Sequence, residues 1–474
     1  MDVAASSIAA SARRRTALVR RSTLVVVVLS VGLAVSGCSG AGTPAPERGP
    51  TQPASPSPSP YATPAATGPI AVETLDDLQQ VVRQIVAAPP ADAQARADEL
   101  WDALVDDPGV PAVFGDDVVF AYTGEAGTVE WRGSFNRWSA PGLAGSRIGA
   151  TDLWIGYLDL PAASRIEYKI VVDGERWLLD PANPATAYSG LTGANNVLAL
   201  PGFTVTDESG ERSGVTPGVL QGGLSLASRH LGYTVDYWVY TPAGYEELDQ
   251  LPVLVVLDGN DFVDERMGAL PRVLDNMIAA GRVQPLIAVF TDAREPGNWG
   301  HNRREDEFLV HPVEHAAFIA DELVPAIDGA YRTNPDPDAR GIAGVSYGGL
   351  AATFVVASHP DVFRNLAAFS PSLWVVDSPQ YLADEQQRAG AIRMQPALDT
   401  VTSCGGDGGS ACVPVRVFLG AGIPDWDVGD LSSLARVLER QGYAVAFHEA
   451  REGHTWDQWR GLSDEMLAWL FVAG

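Results

Sequence analysis

The sequence predicts an α/β protein: a mostly parallel sheet with helices on both faces, preceded by a smaller all-β sandwich. Three observations predict it. From about Thr216 onward, short apolar runs alternate with amphipathic stretches, the rhythm of successive βα units. Between Ala112 and Pro201 the pattern is instead one of short alternating segments separated by turn residues, the signature of a β-sandwich. Finally, Gly344-Val345-Ser346-Tyr347-Gly348 joins an apolar strand to a helical run. A G-x-S-x-G pattern is informative only in that strand-turn-helix context.

The 474 residues hold 46% apolar and 19% charged side chains, enough apolar material for more than one core. The formal charge is -27, and a single lysine, Lys169, accompanies the arginines. An excess of acid this large argues against nucleic acid as a partner and against electrostatic docking on anionic lipid.

Residues 1–37 read as a signal peptide rather than as fold. Arg13, Arg14, Arg15, Arg20 and Arg21 make a basic region, followed by an uncharged, mostly aliphatic run from Thr23 to Val35. The run is short of the roughly 20 residues a membrane span needs. It ends in Val35-Ser36-Gly37-Cys38, which resembles the bacterial lipobox. That resemblance implies cleavage before Cys38, lipidation of its sulfur, and export to the outer face of the cytoplasmic membrane with a lipid anchor. Residues 38–70 are rich in Pro, Ala, Ser and Thr and read as an extended linker.

Residues 71–111 carry apolar positions at helical spacing (Leu75, Leu78, Val82, Ile85, then Ala95, Leu100, Leu104), and Pro89-Pro90 splits them into a helical hairpin. Residues 112–203 hold the sandwich. Its strands are expected around Val118–Tyr122, Thr128–Trp131, Trp154–Tyr157, Tyr168–Val172 and Asn196–Leu200. Trp131, Trp138, Trp154 and Trp177 are read as core packing and cover for a cleft, with sugar stacking as the alternative. Residues 204–474 form the larger domain, with strands expected at Val253–Leu257, Leu286–Phe290, Gly341–Val345, Leu366–Phe369, Val415–Leu419 and Val445–His448. Helices are expected over Pro312–Tyr331 and Asp430–Gln441.

Export implies an oxidising environment. Cys404 and Cys412 bracket a Gly-rich segment, and a disulfide between them would restrain it by about 2.5 kcal/mol. No CxxC or histidine cluster points to a metal.

The chemistry centres on Ser346. A strand-to-helix turn with glycine on both sides exposes the hydroxyl in a strained conformation and places the Tyr347 amide at a helix N-terminus, where it can meet a developing oxyanion. A serine hydroxyl needs a base, and the base needs an acid to orient it. Of seven histidines, His359, His448 and His454 follow Ser346. His359 precedes a proline at a helix end and His448 sits in a strand, which leaves His454, in the loop between the last strand and the closing helix. The acid belongs after the strand Val415–Leu419, where Asp425 is preferred and Asp427 is the alternative. Leu257-Asp258-Gly259-Asn260 supplies a turn whose Asn260 amide is the second oxyanion donor, with Gly259 permitting the bend.

These segments resemble the enterochelin (ferric enterobactin) esterase-like family, within the wider esterase D group of α/β-hydrolases. The resemblance rests on Leu257-Asp258-Gly259, Gly344 to Leu350, Ser370-Pro371-Ser372-Leu373-Trp374 and Gly453-His454-Thr455-Trp456. It also rests on Gly133 to Trp138, Tyr168 to Gly174 and Leu179 to Pro184. It implies an α/β-hydrolase catalytic domain behind an N-terminal immunoglobulin-like sandwich. It also implies a serine esterase in which Ser346 is the nucleophile and His454 the base, with Tyr347 and Asn260 as oxyanion donors. No cofactor is implied.

The substrate class stays open: a siderophore ester, a feruloyl- or acetyl-carbohydrate ester, or acyl transfer as in mycolyltransferases. The expected partner is a small-molecule or glycan-linked ester. Arg303 and Arg304 are candidate ligands for an anionic substrate. Phe262, where many relatives carry Trp, and Trp374 are candidate substrate contacts. A non-enzymatic envelope-binding lipoprotein is the remaining alternative.

Overall fold

The computed structural model describes residues 69–190, 193–204, 208–403, 413–423 and 428–473. Cys38, Cys404, Cys412, Asp425 and Asp427 lie outside them. By contacts, the described residues fall within one compact unit. Among the described residues no helix is long and apolar enough to cross a membrane.

Two helices open the described chain, Leu75–Ala87 and Pro90–Asp106. Thr74 caps the first reciprocally with Asp77: each side chain takes the other's backbone N–H. Pro90 occupies the first turn of the second helix, where its missing N–H is no loss. Leu78, Ile85, Leu100 and Leu104 bury one stripe of this pair against Val119, Ala121 and Ile155 of the neighbouring strands.

Those strands form two antiparallel sheets. One runs β1 (Ala112–Phe114), β2 (Asp117–Thr123), β6 (Leu153–Asp159) and β5 (Ser146–Arg147). The other runs β4 (Leu143–Ala144), β3 (Val129–Gly133), β7 (Arg165–Val172), β10 (Ala194–Ala199) and β9 (Thr186–Tyr188), with β8 (Arg176–Leu178) paired to β7. Facing residues of both sheets share a core of Val118, Phe120, Val129, Trp131, Tyr168 and Ile170. Phe120 meets the Tyr168 ring edge-on at 5.0 Å and Trp131 at 5.5 Å.

The third sheet has eight strands. In spatial order they are β11 (Val219–Ala227), β12 (Thr234–Thr241), β14 (Ile287–Asp292), β13 (Val253–Val256), β17 (Arg340–Val345), β18 (Asn365–Phe369), β19 (Arg416–Gly422) and β20 (Ala444–Ala450). Strands β14, β13, β17, β18, β19 and β20 run parallel, and β11 and β12 add an antiparallel edge. A small ribbon, β15 (Arg294–Glu295) with β16 (Asn298–Asn302), lies outside this sheet.

Strands buried on both faces read as continuous apolar runs, and Val253–Val256 and Asn365–Phe369 are buried throughout. The helix Tyr347–Ser358 is apolar all round and correspondingly buried. The helix expected over Pro312–Tyr331 forms as Pro312–Phe318 and Val324–Ala330, joined by a wider π-type turn at Ile319–Leu323. Pro325 explains the break: it has no N–H to give and its ring would strike the carbonyl one turn back.

Candidate active site

Every functional candidate that the structure describes on the large sheet sits at the carboxyl end of a strand. In open α/β sheets that edge is where ligands bind. Ser346 follows β17 directly, with φ 55° and ψ -119°. A non-glycine residue there is strained, and the surrounding contacts hold it. Its N–H donates to Phe369 O at 2.9 Å, and its carbonyl accepts from Ser372 N at 3.1 Å. A β-carbon on Gly344 would stand 2.2 Å from Gly348 O, and one on Gly348 would stand 2.5 Å from Asp258 Oδ2. Both glycines of the motif are therefore required by close approach. Ser372 Oγ lies 3.4 Å from Ser346 Oγ.

Tyr347 is the first residue of the helix Tyr347–Ser358, so its amide has no acceptor within the helix. Asn260 lies in the first turn of the short helix Gly259–Val263, beside the same strand ends. The turn differs from expectation in one respect. The left-handed residue is Asp258 (φ 55°), whereas Gly259 is needed because a β-carbon there would lie 2.5 Å from the Phe290 backbone.

His454 follows β20 and precedes the helix Trp456–Gly461, which Thr455 caps by accepting from Gln458 N. Its ring meets Trp459 edge-on at 5.0 Å. Gln458 Oε1 accepts from Ser370 Oγ at 3.4 Å, which ties the helix after His454 to the loop that carries Ser372. Ile423 N donates to Ala450 O at 2.8 Å, which sets the residue after β19 against the end of β20. Asp425 and Asp427 themselves are not described. His448 stacks on Phe418 at 5.0 Å and pairs with Glu465, as a packing residue does.

The four candidate substrate contacts are placed differently. Arg304 gives two hydrogen bonds to Asp258, at 2.7 and 2.9 Å, and a third to Val345 O at 2.8 Å. Arg303 pairs with Glu295 at 3.3 Å and lies 4.1 Å over the Tyr233 ring. Both guanidinium groups are thus engaged with protein rather than presented to a ligand. Phe262 is fully buried in the core, edge-on to Trp456 at 5.3 Å. Trp374 is half-buried and lies 6.4 Å from the Tyr347 ring, close to the elbow.

Sequence reasoning reads all four sandwich tryptophans alike, as core packing and cover for a cleft, and does not divide them. A cavity of about 490 Å³ lies between the N-terminal strands and the last loop. Trp138, Trp177 and Lys169 line one side, and His454, Trp456 and Trp459 the other. Trp138 and Trp177 stack at 6.4 Å, and Trp456 meets Trp459 edge-on at 4.9 Å. The four sandwich tryptophans divide accordingly: Trp131 and Trp154 are buried, while Trp138 and Trp177 face this cavity.

Fold and elbow together define an α/β-hydrolase-like protein. Residues 228–470 match the model of the family described as putative esterase, and the chain belongs to that family. The chain is 29% identical over 252 residues to the iron(III) enterobactin esterase of Dickeya dadantii, covering 52% of this chain and 54% of that protein. It is 29% identical over 137 residues to an endo-1,4-β-xylanase/feruloyl esterase of Xylanibacter ruminicola, covering 26% of this chain and 18% of that one. The chain therefore spans about half the length of the first of these relatives and less of the second. Among solved structures, ferric enterobactin esterase from Salmonella typhimurium superposes with a TM-score of 0.56 at 18% identity, covering 75% of this chain and 93% of that one. These likenesses support an enterochelin-esterase-like member of the family.

Proposed function

We propose that this chain is a serine hydrolase of carboxylic esters, of enterochelin-esterase type. One observation carries the reading: Ser346 sits at φ 55° between a parallel strand and a helix N-terminus, pinned by Phe369 and Ser372. Ser346 Oγ attacks the ester carbonyl while His454 takes its proton, and Asp425, or alternatively Asp427, orients the imidazole. The amides of Tyr347 and Asn260 stabilise the oxyanion. The alcohol leaves with the proton from His454. Water, deprotonated by the same imidazole, then releases the acid from the acyl-enzyme.

The tryptophan-lined cavity beside His454 favours an ester bearing a planar ring, because indole faces stack on flat groups. Enterobactin and feruloyl esterases among the relatives are consistent with that choice. The reading extends to the N-terminus. Residues 1–37 act as a lipoprotein signal peptide, Cys38 carries the lipid, and the body sits outside the cytoplasmic membrane. The strands of residues 112–203 correspond to the family's immunoglobulin-like domain.

A panel of p-nitrophenyl acyl esters, feruloyl sugars and siderophore trilactones tests the reading on the full chain. Turnover of at least one class, abolished in Ser346→Ala with the melting temperature unchanged, is the expected result. Turnover that survives Ser346→Ala overturns it.

A further inference from the structure

The loop that carries His454 is built as much by the N-terminal strands as by the large sheet. Arg165, the first residue of β7, donates its N–H to Arg451 O at 2.8 Å, and Arg451 Nη1 donates back to Ala162 O at 2.8 Å. The Arg165 guanidinium reaches Glu452 Oε2 at 3.1 Å through Nη1 and Asp457 through Nη2. Arg165 and Glu452 are 7% and 4% exposed. One side chain thus holds residues on both sides of His454. Gly453, immediately before the imidazole, rests on Ser134 of the same N-terminal region, and a β-carbon there would stand 2.3 Å from Ser134 Cβ. Its φ lies outside the left-handed region, so Ser134, and not backbone conformation, demands the glycine. Ser134 is itself fixed, donating its N–H to Glu167 O at 2.9 Å and accepting from Glu167 N at 3.1 Å.

We infer that Arg165 is a positioning residue for the His454 imidazole, so that the N-terminal strands set the geometry of the proposed catalytic base. The inference rests on the esterase reading above. The physical argument is one of precision. A general base must be held within a fraction of an ångström of its working position, and a displacement of about 1 Å costs on the order of a hundredfold in rate. A loop between a strand and a helix has no ladder of its own to supply that precision. Here two carboxylates flanking the histidine converge on one buried guanidinium, whose forked donors fix direction as well as distance. Burial raises the Glu167 carboxyl and lifts Glu452 to about 7, so Arg165 is also the group that keeps this acidic cluster tenable.

The full chain carries the test. Arg165→Met keeps the apolar stem and removes the fork. With p-nitrophenyl acetate, kcat is expected to fall at least tenfold while KM stays within threefold, and the rate of fluorophosphonate labelling at Ser346 falls in the same proportion. Adding Glu452→Gln removes a stranded carboxylate: the melting temperature recovers, kcat does not. A folded Arg165→Met with kcat and labelling within twofold of the parent overturns the inference, as does kcat that returns with the melting temperature in the double variant.

If Arg165→Met does not fold, Gly453→Ala decides. It is expected to lower kcat, and Ser134→Gly in the same chain is expected to restore it. Unchanged kcat in the single variant, or no recovery in the pair, overturns the inference. A parent protein that is not labelled at Ser346 overturns the esterase reading and this inference with it; the other outcomes bear on Arg165 alone.

Discussion

Arg304 grips Asp258 with two hydrogen bonds and holds the carbonyl of Val345, the residue before Ser346, with a third. One half-buried cation thus ties the turn that carries Asn260 to the strand end that carries the nucleophile. Asp258 Oδ2 in turn occupies the space a side chain at Gly348 would need. The elbow is therefore braced from the Asp258 side, and its strain is sustained by contacts far away in sequence.

Removing the brace by Arg304→Met should leave the Asp258 carboxylate buried without its partner. Breaking such a pair costs about 3 to 5 kcal/mol. Urea denaturation should show a loss of that order, together with a fall in kcat, because both proposed oxyanion donors flank the brace. A variant as stable as the parent would show that Asp258 is solvated instead.

Gly348→Ala should crowd Asp258 and cost about 1 to 3 kcal/mol, the usual penalty for overpacking. Gly329→Ala is the contrasting case. Gly329 is exposed in the last turn of the helix Val324–Ala330, and a β-carbon there would meet nothing within 4 Å. Alanine at 329 should stabilise by about 0.5 kcal/mol through helix propensity. Chemical denaturation of the two variants side by side checks both signs.

Ser372→Ala should be mild. Its hydroxyl lies 3.4 Å from Ser346 Oγ, but its N–H also holds the Ser346 carbonyl, and that bond survives the substitution. A neutral side-chain hydrogen bond contributes about 1 kcal/mol, so kcat should drop less than about tenfold. A complete loss would assign Ser372 a direct part in the chemistry.

Two buried neighbours, Glu307 and His315, should make opposing contributions to the pH dependence of stability. Burial lifts Glu307 from 4.5 to about 8, although Tyr233 donates to it at 2.9 Å. The native state then holds a proton that the unfolded chain loses, so this contribution is full below about pH 4.5 and is lost as pH rises to 8. Burial drives neighbouring His315 from 6.5 to about 3. There the native state rejects a proton that the unfolded chain binds, and stability is lost as pH falls below 6.5. Together these two groups contribute most between about pH 4.5 and 6.5, and melting temperatures of the parent and of Glu307→Gln from pH 4 to 9 read the Glu307 share by difference. Glu307→Gln should flatten the alkaline decline, by on the order of a few kcal/mol at pH 8.

What was legible in the sequence was local or periodic. The buried strands of the large sheet read as apolar runs, and Gly344 to Gly348 announced the elbow because its sterics involve neighbours in the chain. Strands β11 and β12 were missed for the opposite reason. β11 is an exposed edge interrupted at Gly222-Gly223, so no buried face stamps a pattern on it. Arg303 and Arg304 looked like ligands for an anion because their carboxylate partners are distant or unremarkable in sequence; Asp258 lies 46 positions away. Arg165 and Glu452 are 287 positions apart, and no periodicity connects them. Trp138 and Trp177 looked like their two buried counterparts, and only the pairing of strands sends one pair inward and the other to the cleft.

The central claim is that Ser346 is the nucleophile of an esterase, and the most direct measurement is to map a fluorophosphonate adduct by mass spectrometry. The account predicts one stoichiometric adduct on the peptide containing Ser346, absent in Ser346→Ala and formed far more slowly in His454→Ala. An intact, folded protein that takes no adduct, or takes it on another serine, would contradict it.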